Sequence, residues 1–438
     1  MINSKISLCS LLALLMHQLL FANPIQLEFS FGKKRTKEAI VVHKALAYDR
    51  SSGYGFEFGT EKAVSFVKHR DGNSLYAHTP FYFSIQVPEG NYLVTVGYRG
   101  TKDSVYHSTV RSESRRLHLE QVPIAKDEIV KKSFVVHIKD AQIDKGHAVR
   151  LKKPREESKL DWDDKLTLEF QQTNQIEYIR ITAIDKIKTV FLAGNSTVVN
   201  QEDEPWASWG QMIPRFFDSH IAIANHAESG LALSSFLSSN RLEKILSIAK
   251  PGDYLFIEFG HNDQKEKGDK AGAFHGYTER LRFFVQQFRA KGGIPVILTS
   301  TARRAFDERG NLQYTLGDYP TAARKVAKEL QVPLIDLNSM TRIFYQTLGV
   351  ENSKRALVHY PANTFPNQPQ PLQDNTHFNT YGAYQIAKMV VQGIRNNELD
   401  IEKHIIDFTN YNPAYPDPFE RWNWPPSIKT SEVKPDGN

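Results

Sequence analysis

Cysteine is almost absent from this chain of 438 residues, which contains only one, Cys9. That cysteine lies inside an apolar N-terminal stretch, and no other follows it. A disulfide framework is therefore excluded for residues 23–438. Cys9 also lies too early for a lipoprotein anchor, which needs its cysteine after the apolar stretch.

Long apolar runs are scarce as well, and the clearest extends over residues 6–21. It follows Lys5 and ends before Ala22, and this order of a basic start, an apolar stretch and a small residue is typical of a secretory signal. We expect a signal peptide over residues 1–22 and an exported protein, periplasmic or extracellular, with no membrane span in the mature chain. A buried N-terminal helix is the alternative interpretation.

Excess charge is small, with a net value of +6 at pH 7. Residues 23–187 contain 27 Lys and Arg against 22 Asp and Glu, whereas residues 188–438 contain 27 of each kind. So modest an excess argues against nucleic acid as the partner of an exported protein, and an acidic polysaccharide suits it better. The sequence indicates no particular oligomeric state.

Helical periodicity is nearly absent between residues 23 and 187, where short alternating segments recur between turns. This pattern is typical of an antiparallel β-sandwich. Such domains often accompany carbohydrate-active enzymes as sugar-binding modules, and a domain that only packs against its neighbour is the alternative. The expected strands cover residues 56–58, 81–87, 92–96, 134–138, 166–170 and 176–184.

From residue 188 the pattern changes to strands that alternate with helices, which predicts a largely parallel sheet with helices on both faces. We expect a second domain over residues 188–410, then an irregular extension over 411–438 whose last part, from 427, is a loose tail. The expected strands cover residues 189–193, 221–225, 254–259, 295–299 and 333–337, and the helices cover 206–218, 241–249, 277–291, 321–330 and 381–394.

Polar residues that could take part in catalysis follow two of these strands. Ser196 and Asn262 come directly after apolar runs, at the carboxyl ends where open α/β sheets place their chemistry. Asp374 stands three residues before His377, so its carboxylate can orient an imidazole that takes a proton from a serine. Each motif alone is also ordinary turn chemistry. Together they predict a hydrolytic site.

The blocks around Ser196, Gly230, Asn262 and His377 resemble those of the SGNH (GDSL-like) hydrolases, and within them the rhamnogalacturonan acetylesterases, over residues 188–395. The resemblance implies a flavodoxin-like three-layer α/β domain with a mainly parallel sheet, preceded here by an all-β, galactose-binding-like sandwich. It implies Ser196 as nucleophile, His377 as base and Asp374 as the partner that orients His377. The backbone N–H groups of Ser196 and Gly230 and the Asn262 amide would form the oxyanion hole, with no cofactor.

The same resemblance implies removal of O-acetyl groups from an acidic plant cell-wall polysaccharide, with pectic rhamnogalacturonan as the first candidate. Arg303 and Arg304 follow the fourth strand and are candidates to bind a galacturonate carboxylate, and Tyr319 is a candidate to stack on a sugar. No histidine pair in this half has convincing metal spacing, so we expect no metal site. An acetylxylan esterase, or a non-catalytic carbohydrate-binding protein on the same fold, is the alternative.

Overall fold

A computed structural model describes residues 25–70, 72–101 and 104–436. The signal peptide expected over residues 1–22 lies outside the described residues, as does Cys9. Within the described ranges, none of the helices has the length and apolar character needed to cross a membrane.

The first half of the described chain is built from β-strands that form two main sheets. A seven-stranded sheet has the order β10-β7-β14-β1-β2, with β5 paired to β14 and β4 to β5, and a five-stranded sheet has the order β3-β6-β13-β8-β9. The strands are β1 (Gln26–Ser30), β2 (Ile40–Val41), β3 (Tyr54–Glu57), β4 (Val64–His69), β5 (Gly72–Ala77), β6 (Phe81–Gln86), β7 (Gly90–Arg99), β8 (Tyr106–Ser112), β9 (Arg116–Ile124), β10 (Ile129–Ile138), β11 (Gln142–Asp144), β12 (His147–Ala148), β13 (Lys165–Gln171) and β14 (Asn174–Ala183).

The two sheets share one hydrophobic core. Val94 and Val96 of β7 and Phe83 and Ile85 of β6 are buried in the same cluster, because alternate side chains of each strand point to the same face. The expectation of an all-β sandwich is confirmed, and each strand expected from the sequence is present within a few residues of its expected bounds.

The second half of the chain alternates strands with helices. The strands are β15 (Lys188–Gly194), β16 (Ile221–Asn225), β17 (Tyr254–Phe259), β18 (Ile294–Thr299), β19 (Leu334–Ile335), β20 (Leu357–Tyr360) and β21 (Leu372–Phe378). The α-helices are α1 (Trp209–Met212), α2 (Leu233–Ser238), α3 (Arg241–Ile248), α4 (Thr278–Ala290), α5 (Tyr319–Glu329), α6 (Leu337–Asn352) and α7 (Thr380–Asn396).

The central sheet has the order β16-β15-β17-β18-β19, and all of its pairs are parallel. This is the 2-1-3-4-5 order of doubly wound flavodoxin-like folds. Val190 and Leu192 of β15 pack in one core cluster with α1, α6 and α7, while Phe191 and Ala193 pack in the other with α2 to α5. The sheet therefore lies between two helical layers, and the expected three-layer α/β fold is confirmed.

Two local expectations are wrong. The helix expected over residues 206–218 is only the short α1, followed by a 3₁₀ turn over Ile213–Phe216, because Pro214 has no N–H to continue an α-helix. The strand expected over residues 333–337 ends at Ile335. Asp336 there accepts a hydrogen bond from the Ser339 N–H and caps the unexpected helix α6.

The C-terminal segment is irregular, as expected, but its described part is not loose. The Glu204 N–H donates to the Lys429 carbonyl at 2.9 Å, and the Ser431 N–H donates back to Glu204 at 2.8 Å. The ring of Trp424 stacks against the Arg111 guanidinium of the β-sandwich at 3.7 Å. The segment through Asp436 is thus attached to both halves of the chain, and sequence periodicity carries no sign of these long-range contacts.

Candidate active site

Ser196 lies in a tight turn directly after β15, at the carboxyl end of the central sheet. The Asn195 carbonyl accepts hydrogen bonds from the N–H groups of Val198 and Val199, both at 3.0 Å. Gly194 leaves room for this turn, since a Cβ there would lie 2.4 Å from a Val198 methyl carbon. The turn holds the Ser196 hydroxyl at the end of the strand, with the residue only 3% exposed.

Ser196, His377 and Asp374 form a hydrogen-bonded chain. His377 Nε2 lies 2.9 Å from Ser196 Oγ, and His377 Nδ1 lies 2.8 Å from Asp374 Oδ2. In the tautomer protonated on Nδ1, His377 donates to Asp374 and accepts from the serine hydroxyl. The structure thus brings together three residues from the two ends of the α/β half, in the order that proton transfer from a serine to a histidine requires.

Asp374 is held as a carboxylate. Burial raises its pKa, but the hydrogen bond and electrostatic attraction of His377 and the backbone N–H groups of His377 and Thr376 outweigh burial, so that the pKa lies well below its usual range. Those two N–H groups lie 2.9 and 2.7 Å from Oδ1. One carboxylate oxygen is therefore fixed by the backbone, and the other contacts the imidazole.

Gly230 and Asn262 lie on adjacent loops after β16 and β17. Asn262 Nδ2 donates to the Leu231 carbonyl at 3.0 Å, which ties its amide to the residue after Gly230. Gly230 has a φ of 77°, a left-handed conformation that favours glycine. Both residues line a surface cavity of about 430 Å³. The two loops that the sequence assigns to an oxyanion hole are thus neighbours, and that role stays a prediction.

Two buried carboxyl groups support these loops. Glu258, in β17, lies 3.0 Å from Thr197 Oγ1 and accepts from Trp209 Nε1 at 2.6 Å, and burial raises its pKa to about 7 against those hydrogen bonds. Asp263 accepts from the Leu233 N–H at 2.9 Å, and burial likewise raises its pKa to about 7. They lie beneath the Ser196 turn and beside the Asn262 loop respectively.

The three residues expected to bind substrate make contacts within the fold. Arg304 donates to Ser353 Oγ and Asn375 Oδ1, both at 2.9 Å, and to the Val350 carbonyl at 2.5 Å. The Tyr319 hydroxyl donates to the Asp263 carbonyl at 3.0 Å, and its ring packs against Tyr277. Arg303 is half-buried and donates to the His261 carbonyl at 3.3 Å. Their role in substrate binding remains a prediction.

Two further residues contact the Ser-His-Asp group, and the sequence did not predict either contact. The Trp206 ring meets His377 edge-on, with ring centroids 5.8 Å apart. Lys434 Nζ lies 3.3 Å from Asp374 Oδ2, the oxygen that also contacts His377. From the sequence alone, Trp206 is a possible platform for stacking on a sugar, and burial in the core is the favoured alternative. Lys434 belongs to no motif, and only the folded chain reveals its position.

Among the described residues, one group has the ligand types of a metal site. Asp218, His220 and His404 offer atoms that all lie within 4.8 Å of one another. Asp218 and His220 precede β16, so the group lies at the amino edge of the sheet, opposite the edge that holds Ser196. It takes no part in the hydrogen-bonded chain of the candidate active site.

Comparison with known proteins confirms the resemblance drawn from the sequence. The model of the GDSL-like Lipase/Acylhydrolase family matches residues 192–384. Rhamnogalacturonan acetylesterase RhgT of Bacillus subtilis (strain 168) is 42% identical over 219 residues, which are 50% of this chain and 94% of that protein. Probable rhamnogalacturonan acetylesterase YesY of the same strain is 31% identical over 220 residues, 50% of this chain and 97% of its own.

A third relative matches most of the chain. The protein named uncharacterized esterase YxiM, also of Bacillus subtilis (strain 168), is 25% identical over 399 residues, which are 85% of this chain and 92% of that protein. This alignment is longer than the α/β half, which spans residues 188–396 from β15 to α7, so it also includes part of the β-sandwich or of the C-terminal segment.

Proposed function

The chain belongs to the GDSL-like lipase/acylhydrolase family and is a carboxylic ester hydrolase, and we propose that it removes O-acetyl groups from an acidic pectic polysaccharide, rhamnogalacturonan first. Support for the substrate comes from the two relatives named as rhamnogalacturonan acetylesterases. Export belongs to the same proposal and rests on the signal-like order of Lys5, the apolar stretch and Ala22. The protein would then meet its polymer in the periplasm or outside the cell.

The proposed mechanism is acyl transfer through Ser196. His377 Nε2 takes the hydroxyl proton while Oγ attacks the acetyl carbonyl carbon, and the negative charge that develops on the carbonyl oxygen is stabilised by the N–H groups of Ser196 and Gly230 and the Asn262 amide. The C–O bond to the sugar breaks, and the imidazolium returns its proton to the sugar oxygen. Asp374 stabilises the imidazolium throughout.

A second half-reaction frees the serine. Water gives a proton to His377 as its oxygen attacks the acetyl-enzyme, the bond from the acetyl carbon to Ser196 Oγ breaks, and the serine regains a proton from the imidazolium. Acetate leaves. The observation that carries this mechanism is the unbroken chain of contacts from Ser196 Oγ to His377 and on to Asp374, at 2.9 and 2.8 Å.

The test is acetate release from a panel of acetylated pectins and acetylated xylans. We expect acetylated rhamnogalacturonan to give the highest kcat/KM and Ser196→Ala to abolish release without loss of thermal stability. Ser84→Ala is the matched control, because Ser84 is equally buried but contacts Thr167 in the β-sandwich, 2.8 Å away. A higher kcat/KM on acetylated xylan would overturn the proposed substrate. Activity of Ser196→Ala above about a hundredth of wild type would overturn the assignment of Ser196 as nucleophile.

A further inference from the structure

The described end of the chain crosses the candidate active site. Trp206, which contacts the His377 ring, donates from Nε1 to the Ser431 carbonyl at 3.0 Å. Three residues further on, Lys434 lies beside Asp374. The C-terminal segment therefore runs over the Ser-His-Asp group, and its last described residue, Asp436, lies beyond that group on the side of Gly230.

Asp436 marks the boundary between two surface cavities. One, of about 400 Å³, is lined by Trp206, Gln201 and Arg155, and Gln201 Nε2 donates to the Ser196 carbonyl at 3.0 Å. The other, of about 430 Å³, contains Gly230 and Asn262. Asp436 lines both cavities, so its side chain lies where the two cavities approach each other. A polymer that extends from one cavity into the other would meet Asp436.

Lys152 and Arg155 hold the Asp436 carboxylate between them. Lys152 Nζ lies 3.3 Å and Arg155 Nη1 lies 3.5 Å from the same oxygen, Oδ2. Both cations are anchored to Ser229, since Lys152 donates to its carbonyl at 2.5 Å and Arg155 to its hydroxyl at 3.0 Å. A carboxylate bound here lies next to Gly230, where a Cβ would be 2.9 Å from Lys152 Nζ.

The ion pairs of Asp436 with Lys152 and Arg155 are exposed enough for another carboxylate to replace Asp436. The Asp436 side chain is 57% exposed, and those of Lys152 and Arg155 are about one-third exposed. Exposed ion pairs are weak because water and salt compete with them. Within the described part of the chain no second carboxylate forms an ion pair with Lys152, and Arg155 forms one other ion pair, with the buried Glu228 at 3.5 Å. Release of Asp436 therefore opens a cationic pair beside the site.

We propose that Lys152 and Arg155 form a subsite for a uronate carboxylate of the polymer, and that Asp436 occupies this subsite until the polymer displaces it. The inference rests on the proposed function and extends it, because it assigns recognition of the acidic sugar to two residues that precede the α/β half. Asp436 stands in chemically for the substrate carboxylate. It lowers the affinity of the free enzyme for acidic sugars and leaves neutral sugars unaffected.

The experiment is calorimetric titration of the full chain with trigalacturonate, and with neutral trigalactose as the control sugar. We expect Asp436→Asn to bind trigalacturonate about two- to fivefold more tightly than wild type, the range set by partly exposed ion pairs. Adding Lys152→Met to Asp436→Asn should reverse that gain. Glu432→Gln is the matched control, because it removes the same charge from the same exposed segment, away from the two cations.

Three results would each overturn the subsite: an unchanged affinity in Asp436→Asn, an equal gain in Glu432→Gln, or equal binding of trigalactose. Asp436 is exposed, so its substitution does not threaten folding and the test does not depend on a fragile variant. The titration measures binding without an ester. If the protein releases acetate from pectin but fails the binding test, only the proposed subsite is refuted. If it passes the binding test but releases no acetate, only the proposed reaction is refuted.

Discussion

Lys434 Nζ lies 3.3 Å from Oδ2 of Asp374, and the same oxygen is 2.8 Å from His377 Nδ1. A cation thus shares the carboxylate oxygen on which the imidazole depends. In the proposed mechanism the imidazole becomes positively charged in the transition state, and a second positive charge nearby opposes that change. We therefore expect Lys434 to lower the activity of the Asp374 and His377 pair.

Lys434→Met should raise kcat on a neutral aryl acetate. The Lys434 side chain is 46% exposed and its charge is screened, so we expect an increase of only about two- to fivefold. Lys434→Arg keeps the charge and is the control. A decrease in kcat that Lys434→Arg does not share would mean that the cation supports Asp374 and does not compete for it.

Asp374→Asn should lower kcat by about 10⁴-fold, the loss that the equivalent change causes in serine proteases, because an amide no longer favours the required tautomer or stabilises the imidazolium. The matched control is Asp218→Asn. Asp218 Oδ2 also contacts a histidine, His404 Nδ1 at 3.2 Å, but at the other edge of the sheet. Steady-state kinetics that show equal losses in both variants would refute the assignment of Asp374.

Gly230→Ala should lower kcat by at least tenfold, since it strains a left-handed residue and moves the N–H that is proposed to contact the oxyanion. Gly252→Ala separates these effects. Gly252 has a φ of 85°, close to the 77° of Gly230, but a Cβ there meets nothing within 4 Å and the residue lies before β17, away from the site. Gly252→Ala should lose roughly 1–2 kcal/mol of stability, measured by chemical denaturation. Gly230→Ala should lose at least as much, since its Cβ would also lie 2.9 Å from Lys152 Nζ, and only Gly230→Ala should lose activity.

The raised pKa of Glu258 should make the stability of the fold depend on pH. Burial raises its pKa from 4.5 to about 7 in the folded chain, so the folded state binds a proton more tightly than the unfolded state does. The contribution of Glu258 to the free energy of unfolding is complete below pH 4.5 and is lost as the pH rises to about 7. A protonated Glu258 can donate to Thr197 Oγ1, which in turn lies 2.9 Å from Asn195 Oδ1.

Glu258→Gln removes this titration. Denaturation of both proteins across that pH window should show the wild type losing on the order of 1–3 kcal/mol more than the variant. Asp263, whose pKa is raised in the same direction, is present in both proteins and cancels in the comparison. Parallel pH profiles would mean that Glu258 is ionised in the fold throughout the range.

The sequence reveals the α/β fold and the candidate site because both follow from local patterns. Ser196 and Asn262 could be placed at the same sheet edge because each follows an apolar strand, and parallel strands end on one side. The spacing of Asp374 and His377 suits a hydrogen bond within a few residues. The apolar residues around Pro214 fit a longer helix as well as a 3₁₀ turn, so the sequence pattern does not distinguish the two.

The contacts of the C-terminal segment could not be predicted in this way. Lys434 and Asp436 are charged residues in a segment without periodicity, and such residues are usually solvated. Their partners, Asp374 and the Lys152 and Arg155 pair, lie in different parts of the chain. Ion pairs of this kind are specified by the completed fold and leave no spacing to recognise beforehand.

The central claim, that Ser196 is the nucleophile, is tested most directly by covalent labelling. An aryl alkylphosphonate ester reacts with an activated serine and gives a stable adduct that peptide mass spectrometry can locate. We predict that inactivation of acetate release parallels the labelling of Ser196, that an excess of acetylated substrate slows it, and that Asp374→Asn nearly abolishes it. Complete inactivation with the label on any other residue, or full labelling of Ser196 with activity retained, would contradict the account.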